Sequence, residues 1–393
     1  MIIMKPVIIG NQKIDIPLIQ GGMGVGISRS RLAGAVAKEG GMGVISAAQI
    51  GYDRKEFAER PEAANLAELV QQIKIAKQLS QGNGMIGVNI MAVTQLYGEY
   101  VRQACQAGAD AIITGAGLPT SLPQYTAGFS TKIAPIVSSG KAAQVILKYW
   151  DKKYSCTADF IVVEGPRAGG HLGFSFETLA HLDDYDFRKE VKAITAVRKQ
   201  YEEKYKRKIP LFLAGGIMNS RDVMRTFLLG ADGVQVASRF VVTEECDAAP
   251  AYKQAYIRAE EKDIAIIHSP VGMPGRALKN AFIKRMEAGQ EKITGCYHCL
   301  KACNPKTAPY CITQALVNAV KGDVENGLIF CGARVGELKK ITTVKETIEE
   351  LGLSRKVPCP GGDALSELIR RTQYKTKLSR GFATAVPSAP DQF

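Results

Sequence analysis

The stretch IPLFLAGGIMNSRDVMRTFLLGADGVQVAS, residues 209–238, contains two short apolar runs separated by a segment with helical spacing. Each run ends in glycine or another small residue, and neither run alternates between apolar and polar positions. A strand that is apolar throughout is buried on both faces, as in a parallel sheet covered by helices. The stretch therefore predicts a strand, a helix and a second strand parallel to the first.

Six similar runs precede this stretch, and segments with helical spacing separate them. The runs lie at residues 16–22, 41–47, 85–91, 109–117, 132–139 and 158–165. We expect Ser28, Asn65 and Ser220 to cap three of the intervening helices. Eight strand–helix units favour a closed (β/α)8 TIM barrel over an open doubly wound sheet, so the expected fold class is α/β.

The chain beyond the barrel does not continue the strand–helix alternation. We expect a (β/α)8 barrel domain over residues 1–262, a helical capping region over 263–360 and a basic, flexible tail over 361–393. The pattern predicts helices near residues 275–288, 312–321 and 343–352, and a cysteine-rich insertion over 296–311. The fold class is thus a TIM barrel with a C-terminal helical, cysteine-rich extension.

Composition places the chain among globular proteins, with 393 residues of which 46% are hydrophobic and 23% charged. No apolar run approaches the roughly 18 residues that cross a bilayer, and Lys5-Pro6 interrupts the N-terminal apolar segment. We therefore expect a cytoplasmic protein without a membrane partner. The net charge of +13 suits an anionic partner such as a phosphate-bearing cofactor or an acidic protein. No nucleic-acid motif is present, and we expect no nucleic-acid partner.

Two turns at the ends of the last two predicted strands suggest a phosphate site. Gly215 and Gly216 follow the seventh strand, and Ala237 and Ser238 follow the eighth. In TIM barrels the loops after strands seven and eight commonly hold phosphate, because glycine lets backbone N–H groups approach the oxygens. The alternative is that both are tight turns that serve packing only.

Six motifs lie in order at the expected strand ends. They are Gln20-Gly21-Gly22-Met23, Gly87-Val88-Asn89, Thr114-Gly115-Ala116-Gly117, Glu164-Gly165 with Ala168-Gly169-Gly170-His171, Ala214-Gly215-Gly216, and the segment from Gln235 to Phe240. This set resembles the nitronate monooxygenase (2-nitropropane dioxygenase) family, to which the flavin-dependent enoyl-acyl-carrier-protein reductases are related. The segment from Ala315 to Leu351 is similar to the enoyl reductase branch. The resemblance implies an FMN-binding barrel.

The resemblance also implies which residues contact the flavin. It places the phosphate on Gly215, Gly216, Ala237 and Ser238, and the isoalloxazine ring near Gly22, Met23, Asn89 and Ser138. The other residues that it places at the cofactor are Gly21, Glu164, Gly170, Ala214, Gln235 and Val236. Glycines at strand ends agree with this placement, because they let a flat ring lie against the backbone.

His171 is the candidate catalytic residue. A histidine can accept or donate a proton near neutral pH, and the resemblance implies a catalytic base or a flavin contact at this position. Pro166 and Arg167 depart from the family pattern, which has an acidic residue where this chain has Arg167. Arg167 either faces an anionic substrate or cofactor, or turns to solvent. We expect His181 and His268 to be solvated or capping residues.

Four of the nine cysteines form the pattern C-x2-C-x3-C-x7-C, at Cys296, Cys299, Cys303 and Cys311. Thiolates at this spacing can surround one soft metal centre, either tetrahedral Zn²⁺ or a [4Fe–4S] cluster. The third alternative is free or redox-active thiols. The segment resembles the cluster segment of the dienoyl reductases related to old yellow enzyme, in which the final spacing is longer.

The other five cysteines are not part of this pattern. Cys105, Cys156 and Cys246 are scattered, and we expect them to be small apolar residues of the interior. His298, Cys331 or Cys359 can replace one of the four ligands. We expect no export signal, and we therefore expect reduced thiols or metal ligands, not a disulfide framework.

The leading hypothesis is an FMN-dependent oxidoreductase that oxidises alkyl nitronates with dioxygen, in which His171 handles the substrate proton. The alternative is an NAD(P)H-dependent enoyl-thioester reductase, which the basic charge and the C-terminal similarity favour. Its partner would be an acidic carrier protein or a one-electron donor. A third hypothesis, from another class, is a metal-stabilised binding protein. The sequence leaves the oligomeric state open.

Overall fold

The structure, a computed structural model, describes residues 5–354. The strands of this part are β1 (Val7–Ile9), β2 (Gln12–Ile14), β3 (Leu18–Gln20), β4 (Met42–Ser46), β5 (Met85–Asn89), β6 (Ala111–Thr114), β7 (Lys132–Val137), β8 (Ile161–Glu164), β9 (Gly170–His171), β10 (Leu211–Ala214), β11 (Gly233–Val236), β12 (Ile264–His268) and β13 (Pro274–Leu278). Eight of these strands form the barrel, and the other five form two small antiparallel sheets.

Most of the helices cover the outside of the barrel. They are α1 (Ser30–Lys38), α2 (Pro61–Leu79), α3 (Tyr97–Gln106), α4 (Leu122–Thr126), α5 (Gly140–Tyr154), α6 (Phe176–Ala180), α7 (Phe187–Tyr205), α8 (Ser220–Leu228), α9 (Ser238–Val241), α10 (Pro250–Arg258), α11 (Ala281–Glu287), α12 (Ile312–Lys321) and α13 (Val344–Glu350). Three short 3-10 turns lie at Lys55–Ala58, Glu261–Asp263 and Val335–Glu337.

The barrel is closed and its strands are parallel, in the order β3-β4-β5-β6-β7-β8-β10-β11. Its last strand returns to the first, since Val234 of β11 pairs with Leu18 of β3. Each of the eight apolar runs contains one of these strands, so the predicted (β/α)8 TIM barrel is confirmed. The carboxyl ends of all eight strands therefore lie at the same rim of the barrel. Active sites of this fold lie at that rim.

The interior of the barrel is filled by side chains. Phe160 and Phe212 are fully buried there, with their ring centroids 5.8 Å apart in an edge-to-face arrangement. The hairpin of β1 and β2 adds Ile9 and Ile14 to the same cluster. The sequence analysis did not anticipate this hairpin. It occupies the amino-terminal end of the barrel, which leaves the carboxyl end as the open one.

The capping region contains strands as well as helices, which corrects the sequence prediction. The helix expected over 275–288 is limited to α11, because Pro274–Leu278 forms the strand β13. β13 lies between β12 and β9 in a three-stranded antiparallel sheet. The pairing partner β9 lies about a hundred residues earlier, and local periodicity does not reveal such a partner. The helices expected near 312–321 and 343–352 are present as α12 and α13.

The three expected helix caps are wrong. Helix α8 is capped by Asn219, whose side chain accepts hydrogen bonds from the two N–H groups that follow Ser220. Asn65 lies inside α2 and accepts a hydrogen bond from the N–H of Gly51 at 2.8 Å. Ser28 precedes the cap position of α1 and instead bonds to Met23. The side chains of Asn65 and Ser28 thus form hydrogen bonds with residues outside the helices that they were expected to cap.

Some of the predicted features lie outside the described residues. This applies to the expected tail over 361–393, to the end of the capping region beyond residue 354 and to Cys359. Within residues 5–354, no helix is both long enough and apolar enough to cross a membrane.

Candidate active site

A cavity of about 410 Å³ opens at the carboxyl-terminal rim of the barrel. This volume lies within the range of about 300–1,000 Å³ that is usual for sites of small molecules and cofactors. The residues expected at the flavin all line it, namely Gly21, Gly22, Met23, Asn89, Ser138, Glu164, Gly170, Ala214, Gly215, Gly216, Gln235, Val236, Ala237 and Ser238. His171 lines the same cavity. The tertiary structure thus brings six separate motifs together at one place.

One side of the cavity is formed by the ends of β3 and β5. A Cβ atom on Gly22 would lie only 2.5 Å from the Cβ of Asn89, so only glycine permits this approach. Gln20, fully buried, accepts a hydrogen bond from the N–H of Val44 at 3.1 Å. Strand ends fixed in this way offer a flat backbone surface at the rim.

A second part of the cavity wall is formed by the turn after β10 and the start of α9. Gly215 and Gly216 have φ angles of 103° and 76°, in the left-handed region that favours glycine. A Cβ on Gly215 would lie 3.0 Å from the carbonyl oxygen of Gly165. The hydroxyl of Ser238 accepts a hydrogen bond from the N–H of Gly332 at 3.1 Å. The C-terminal region therefore reaches this side of the cavity.

Arg334 stabilises the glycine turn from the same C-terminal segment. Its Nη1 donates to the carbonyl oxygen of Gly216 and to Oδ2 of Asp222, both at 2.7 Å. The same Oδ2 accepts a hydrogen bond from the N–H of Met218 at 3.0 Å. The sequence analysis missed Gly332 and Arg334, because neither belongs to a strand end or to a recognisable ligand pattern.

Arg276 of β13 holds the loop between β8 and β9 in place through hydrogen bonds. Arg276 is only 2% exposed. Its Nη2 donates to the carbonyl oxygen of Pro166 at 2.9 Å, and its Nη1 donates to that of Ala168. A buried guanidinium needs such partners, since an unpaired buried charge is strongly unfavourable. This loop carries His171 to the cavity.

His171 is placed by β9 and contacts two residues of the C-terminal region. It pairs with Gly275 in the small sheet. Its Nε2 lies 2.8 Å from the hydroxyl oxygen of Ser269, and the Phe330 ring lies edge-on at 4.9 Å between centroids. Burial lowers the pKa of His171 to about 4. The imidazole is therefore neutral near pH 7. Ser269 and Phe330 carry no signal in the sequence.

Glu164, the last residue of β8, also faces the cavity. Burial raises the pKa of its carboxyl to about 8, against the opposing effect of the Arg276 charge. The carboxyl group is therefore largely protonated at neutral pH, and it can donate a hydrogen bond.

Arg167 contributes to the cavity wall, and its side chain is more than half exposed. The side chain is 53% exposed, and Nη2 lies 3.5 Å from a carboxylate oxygen of Asp183, itself 97% exposed. Of the two alternatives that the sequence left open, the structure supports the solvent-facing one. His181 and His268 are both exposed.

Of the four clustered cysteines, Cys299 lines the cavity. All four are free, with Cys296 exposed and the other three half-buried. In the part of the chain that the structure describes, no three His, Cys, Asp or Glu side chains are arranged to hold a metal ion. The structure thus places the predicted ligands near one another without gathering them into a coordination site.

Comparisons with known proteins agree with this architecture. The sequence model of the family described as nitronate monooxygenase matches residues 5–353. A probable nitronate monooxygenase of Staphylococcus saprophyticus is 25% identical over 336 residues, which cover 81% of this chain and 86% of that protein.

Two further proteins are similar to this chain. A carboxyl-CoA dehydrogenase of Mycobacterium tuberculosis, named for a hydroxy-methyl-oxo-octahydroindene substrate, is 24% identical over 276 residues, covering 70% of this chain and 66% of that protein. The solved structure of FabK from Thermotoga maritima superimposes with a TM-score of 0.65 at 24% identity, covering 92% of this chain and 96% of that one. The likeness to FabK shows the shared fold.

Replacing Glu164 by glutamine should change how the free energy of unfolding depends on pH. The folded protein holds the Glu164 proton up to a pKa of about 8, whereas the ordinary value is 4.5. Wild type therefore loses stability relative to Glu164→Gln as the pH rises between these values, by at most about 1.4 kcal/mol per pH unit. Urea denaturation followed by the fluorescence of Trp150, the single tryptophan, measures the effect.

The control is Glu325→Gln, which removes an exposed carboxylate. This variant should have the same pH dependence as wild type. Parallel stability curves for wild type and Glu164→Gln across the same range would show that the folded protein does not hold this proton.

Proposed function

The chain belongs to the nitronate monooxygenase family and is an oxidoreductase, and from this premise we propose that it is an FMN-dependent enzyme that oxidises alkyl nitronates with dioxygen. The observation that carries the proposal is the convergence of the six motifs on one cavity at the barrel rim. The staphylococcal relative, a probable nitronate monooxygenase, supports the choice of substrate. Bound in this cavity, FMN would supply the redox chemistry, the transfer of electrons from the substrate to dioxygen.

The residues of the cavity fit FMN. We propose that Gly215, Gly216, Ala237 and Ser238 hold the phosphate, where the backbone is too crowded for a Cβ atom on Gly215. We propose that the ring lies against the ends of β3 and β5, where Gly22 leaves room beside Asn89. The protonated Glu164 would donate a hydrogen bond to the cofactor from the end of β8.

In this proposal His171 binds the charged oxygen of the nitronate in the cavity. The side chain lines the cavity, is neutral at neutral pH and contacts the described protein through one ring nitrogen. A neutral imidazole can form a hydrogen bond to the oxygen of a nitronate without the cost of burying a second charge. The apolar Phe330 beside it limits the access of water.

A second candidate is the NAD(P)H-dependent reduction of an enoyl thioester. The mycobacterial relative, a carboxyl-CoA dehydrogenase, favours a thioester substrate. The formal net charge of +13 favours an acidic carrier protein or a phosphorylated carrier as partner. In this reaction the β-carbon of the substrate would receive a hydride that originates from NAD(P)H, and His171 would bind the thioester carbonyl.

We also propose a soft metal centre, either a [4Fe–4S] cluster or Zn²⁺, on Cys296, Cys299, Cys303 and Cys311. Burial and the neighbouring thiols of Cys311 and Cys303 raise the pKa of Cys299, which indicates that these groups lie close together. The sulfur of Cys296 accepts a hydrogen bond from the N–H of His298 at 3.4 Å. Hydrogen bonds of this kind support thiolate ligands. The four cysteine side chains would have to rotate towards one another to form a complete set of metal ligands.

The domain organisation and the location in the cell are further proposals. We propose that the barrel domain ends near residue 262 and that the region after it serves as the cap of the active site, since Gly332, Arg334 and Ser269 all reach the cavity or its lining. The free cysteines among the described residues support a cytoplasmic location, because disulfides are rare in that compartment.

Gly215→Ala should weaken FMN binding, and Gly230→Ala should not. Both variants place a methyl group at a positive φ, 103° and 91°. The new Cβ of Gly215 would lie within 3.1 Å of two backbone atoms at the expected phosphate site, whereas that of Gly230 has no neighbour within 4 Å. We expect the Kd for FMN to rise at least about tenfold, equivalent to about 1.4 kcal/mol, in Gly215→Ala alone. Fluorescence titration of the deflavinated proteins measures it, and equal Kd values would contradict the phosphate assignment.

An alkyl nitronate, added without dioxygen, should bleach the visible absorption of the purified protein with no pyridine nucleotide present. His171→Gln should retain the flavin and slow this reaction by about 10²–10³-fold, the range typical of losing one hydrogen-bond donor to a charged oxygen. Bleaching by NAD(P)H, with recovery on addition of crotonyl thioester, would select the enoyl reductase instead. A protein that responds to neither treatment refutes both candidates.

Anaerobically purified protein should contain stoichiometric iron with acid-labile sulfide, or one zinc ion per chain. The double variant Cys299→Ser/Cys303→Ser should lose the metal, because it removes two of four ligands. The matched control is Cys156→Ser, which changes a half-buried thiol outside the cluster and should retain it. Wild-type protein that contains neither iron nor zinc would show that these are free thiols.

A further inference from the structure

The hydrogen bond between His171 and Ser269 decides which ring nitrogen of His171 carries a proton. Nε2 of His171 lies 2.8 Å from the hydroxyl oxygen of Ser269. Among residues 5–354, no group forms a hydrogen bond with Nδ1, so Nδ1 is the nitrogen left for a ligand in the cavity. A neutral imidazole has one N–H donor and one acceptor nitrogen, and the partner of one nitrogen determines the other.

The hydroxyl group of Ser269 has few partners for its proton. Ser269 is 8% exposed, and its oxygen accepts a hydrogen bond from the N–H of Val271 at 3.3 Å. A backbone N–H cannot accept a proton in return, whereas Nε2 of His171 can. A buried hydroxyl whose hydrogen has no acceptor is unfavourable by about 1–3 kcal/mol. Of these two contacts, only Nε2 can therefore accept the hydroxyl proton.

Tyr310 offers a competing acceptor beside Ser269. Its hydroxyl interacts with the Ser269 side chain and donates to the carbonyl oxygen of His268 at 3.4 Å. This is a long contact for an O–H donor. If Ser269 donated to Tyr310 instead, Nε2 would have to donate to Ser269, and the tautomer would be reversed. Removing the Tyr310 hydroxyl therefore separates the two arrangements.

We infer that Ser269 is a positioning residue that holds His171 as the Nδ1–H tautomer, so that the ring presents a hydrogen-bond donor to the cavity. A nitrogen that already carries a proton cannot remove one from a carbon atom. His171 in this chain then binds an oxygen that bears negative charge, and it does not act as a base towards the substrate.

This tautomer narrows the class of substrate, a consequence that rests on the function proposed above. An alkyl nitronate is already deprotonated at carbon and offers a charged oxygen, and an enoyl thioester offers a carbonyl oxygen. A neutral nitroalkane must first lose a carbon-bound proton, which requires a base. The site should therefore accept nitronates and reject the neutral nitroalkanes from which they form.

The tautomer can be measured without any assay of activity. The chain has four histidines, and long-range ¹H–¹⁵N NMR of protein labelled in histidine distinguishes the two neutral tautomers of each. The His171 signals are assigned by their loss in His171→Gln. We expect the Nδ1–H pattern in wild type at neutral pH. An Nε2–H pattern in wild type would overturn the inference.

Three variants test the role of the Ser269 hydroxyl. Ser269→Ala should shift His171 towards the Nε2–H tautomer, and Ser269→Thr, which keeps a hydroxyl, should restore the wild-type pattern. Tyr310→Phe should leave the pattern unchanged. An unchanged pattern in Ser269→Ala, or a reversed one in Tyr310→Phe, would show that Ser269 does not determine the tautomer.

Kinetics then test the substrate class separately. For wild type we expect kcat/KM for a nitronate to exceed that for the matching neutral nitroalkane by at least about 100-fold, a factor in the lower part of the range for proton-transfer catalysis. Equal values would refute the consequence for substrates. Inactivity towards nitronates and enoyl thioesters alike would refute the proposed function, while the NMR result would still decide the tautomer.

Discussion

The buried guanidinium of Arg276 holds the loop that carries His171 over the mouth of the barrel. Its two terminal nitrogens donate to the carbonyl oxygens of Pro166 and Ala168. A charge removed from water is stable only where its donors are used, so the loop and the strand β13 have to remain in register. The same loop packs against Gly215, where a Cβ atom would meet Gly165. The positions of His171 and of the glycine turn thus depend on one interaction.

The cavity is completed by the region that follows the barrel. Gly332 and Arg334 reach Ser238 and Gly216 on one side, and Ser269 and Phe330 contact His171 on the other. His171 and Ser269 are 98 positions apart in the chain. A barrel alone would offer the strand ends, but it would leave the histidine without the partner that orients its ring. The region after the barrel therefore contributes both to the cavity lining and to the position of His171.

Burial acts on the two titratable groups of the cavity in opposite directions and makes both neutral. It raises the pKa of Glu164 to about 8 and lowers that of His171 to about 4. Near neutral pH the floor of the site therefore carries two uncharged groups that can each donate a hydrogen bond. The charged groups nearby, Arg276 and Arg334, are occupied by carbonyl and carboxylate oxygens. Such a site therefore offers a ligand hydrogen-bond donors on neutral groups.

The sequence by itself determined the barrel and the residues at its rim. Continuous apolar runs and the glycines that follow them are local properties, and closing eight parallel strands necessarily brings their ends together. Only the tertiary structure decided the strand β13, the solvent-facing direction of Arg167 and the hydrogen bond of Ser269 to His171. Each of these depends on a partner distant in the chain, and the periodicity of a segment carries no information about such a partner. The cysteine spacing likewise predicts a set of ligands, but whether the thiols meet depends on how the capping segment folds.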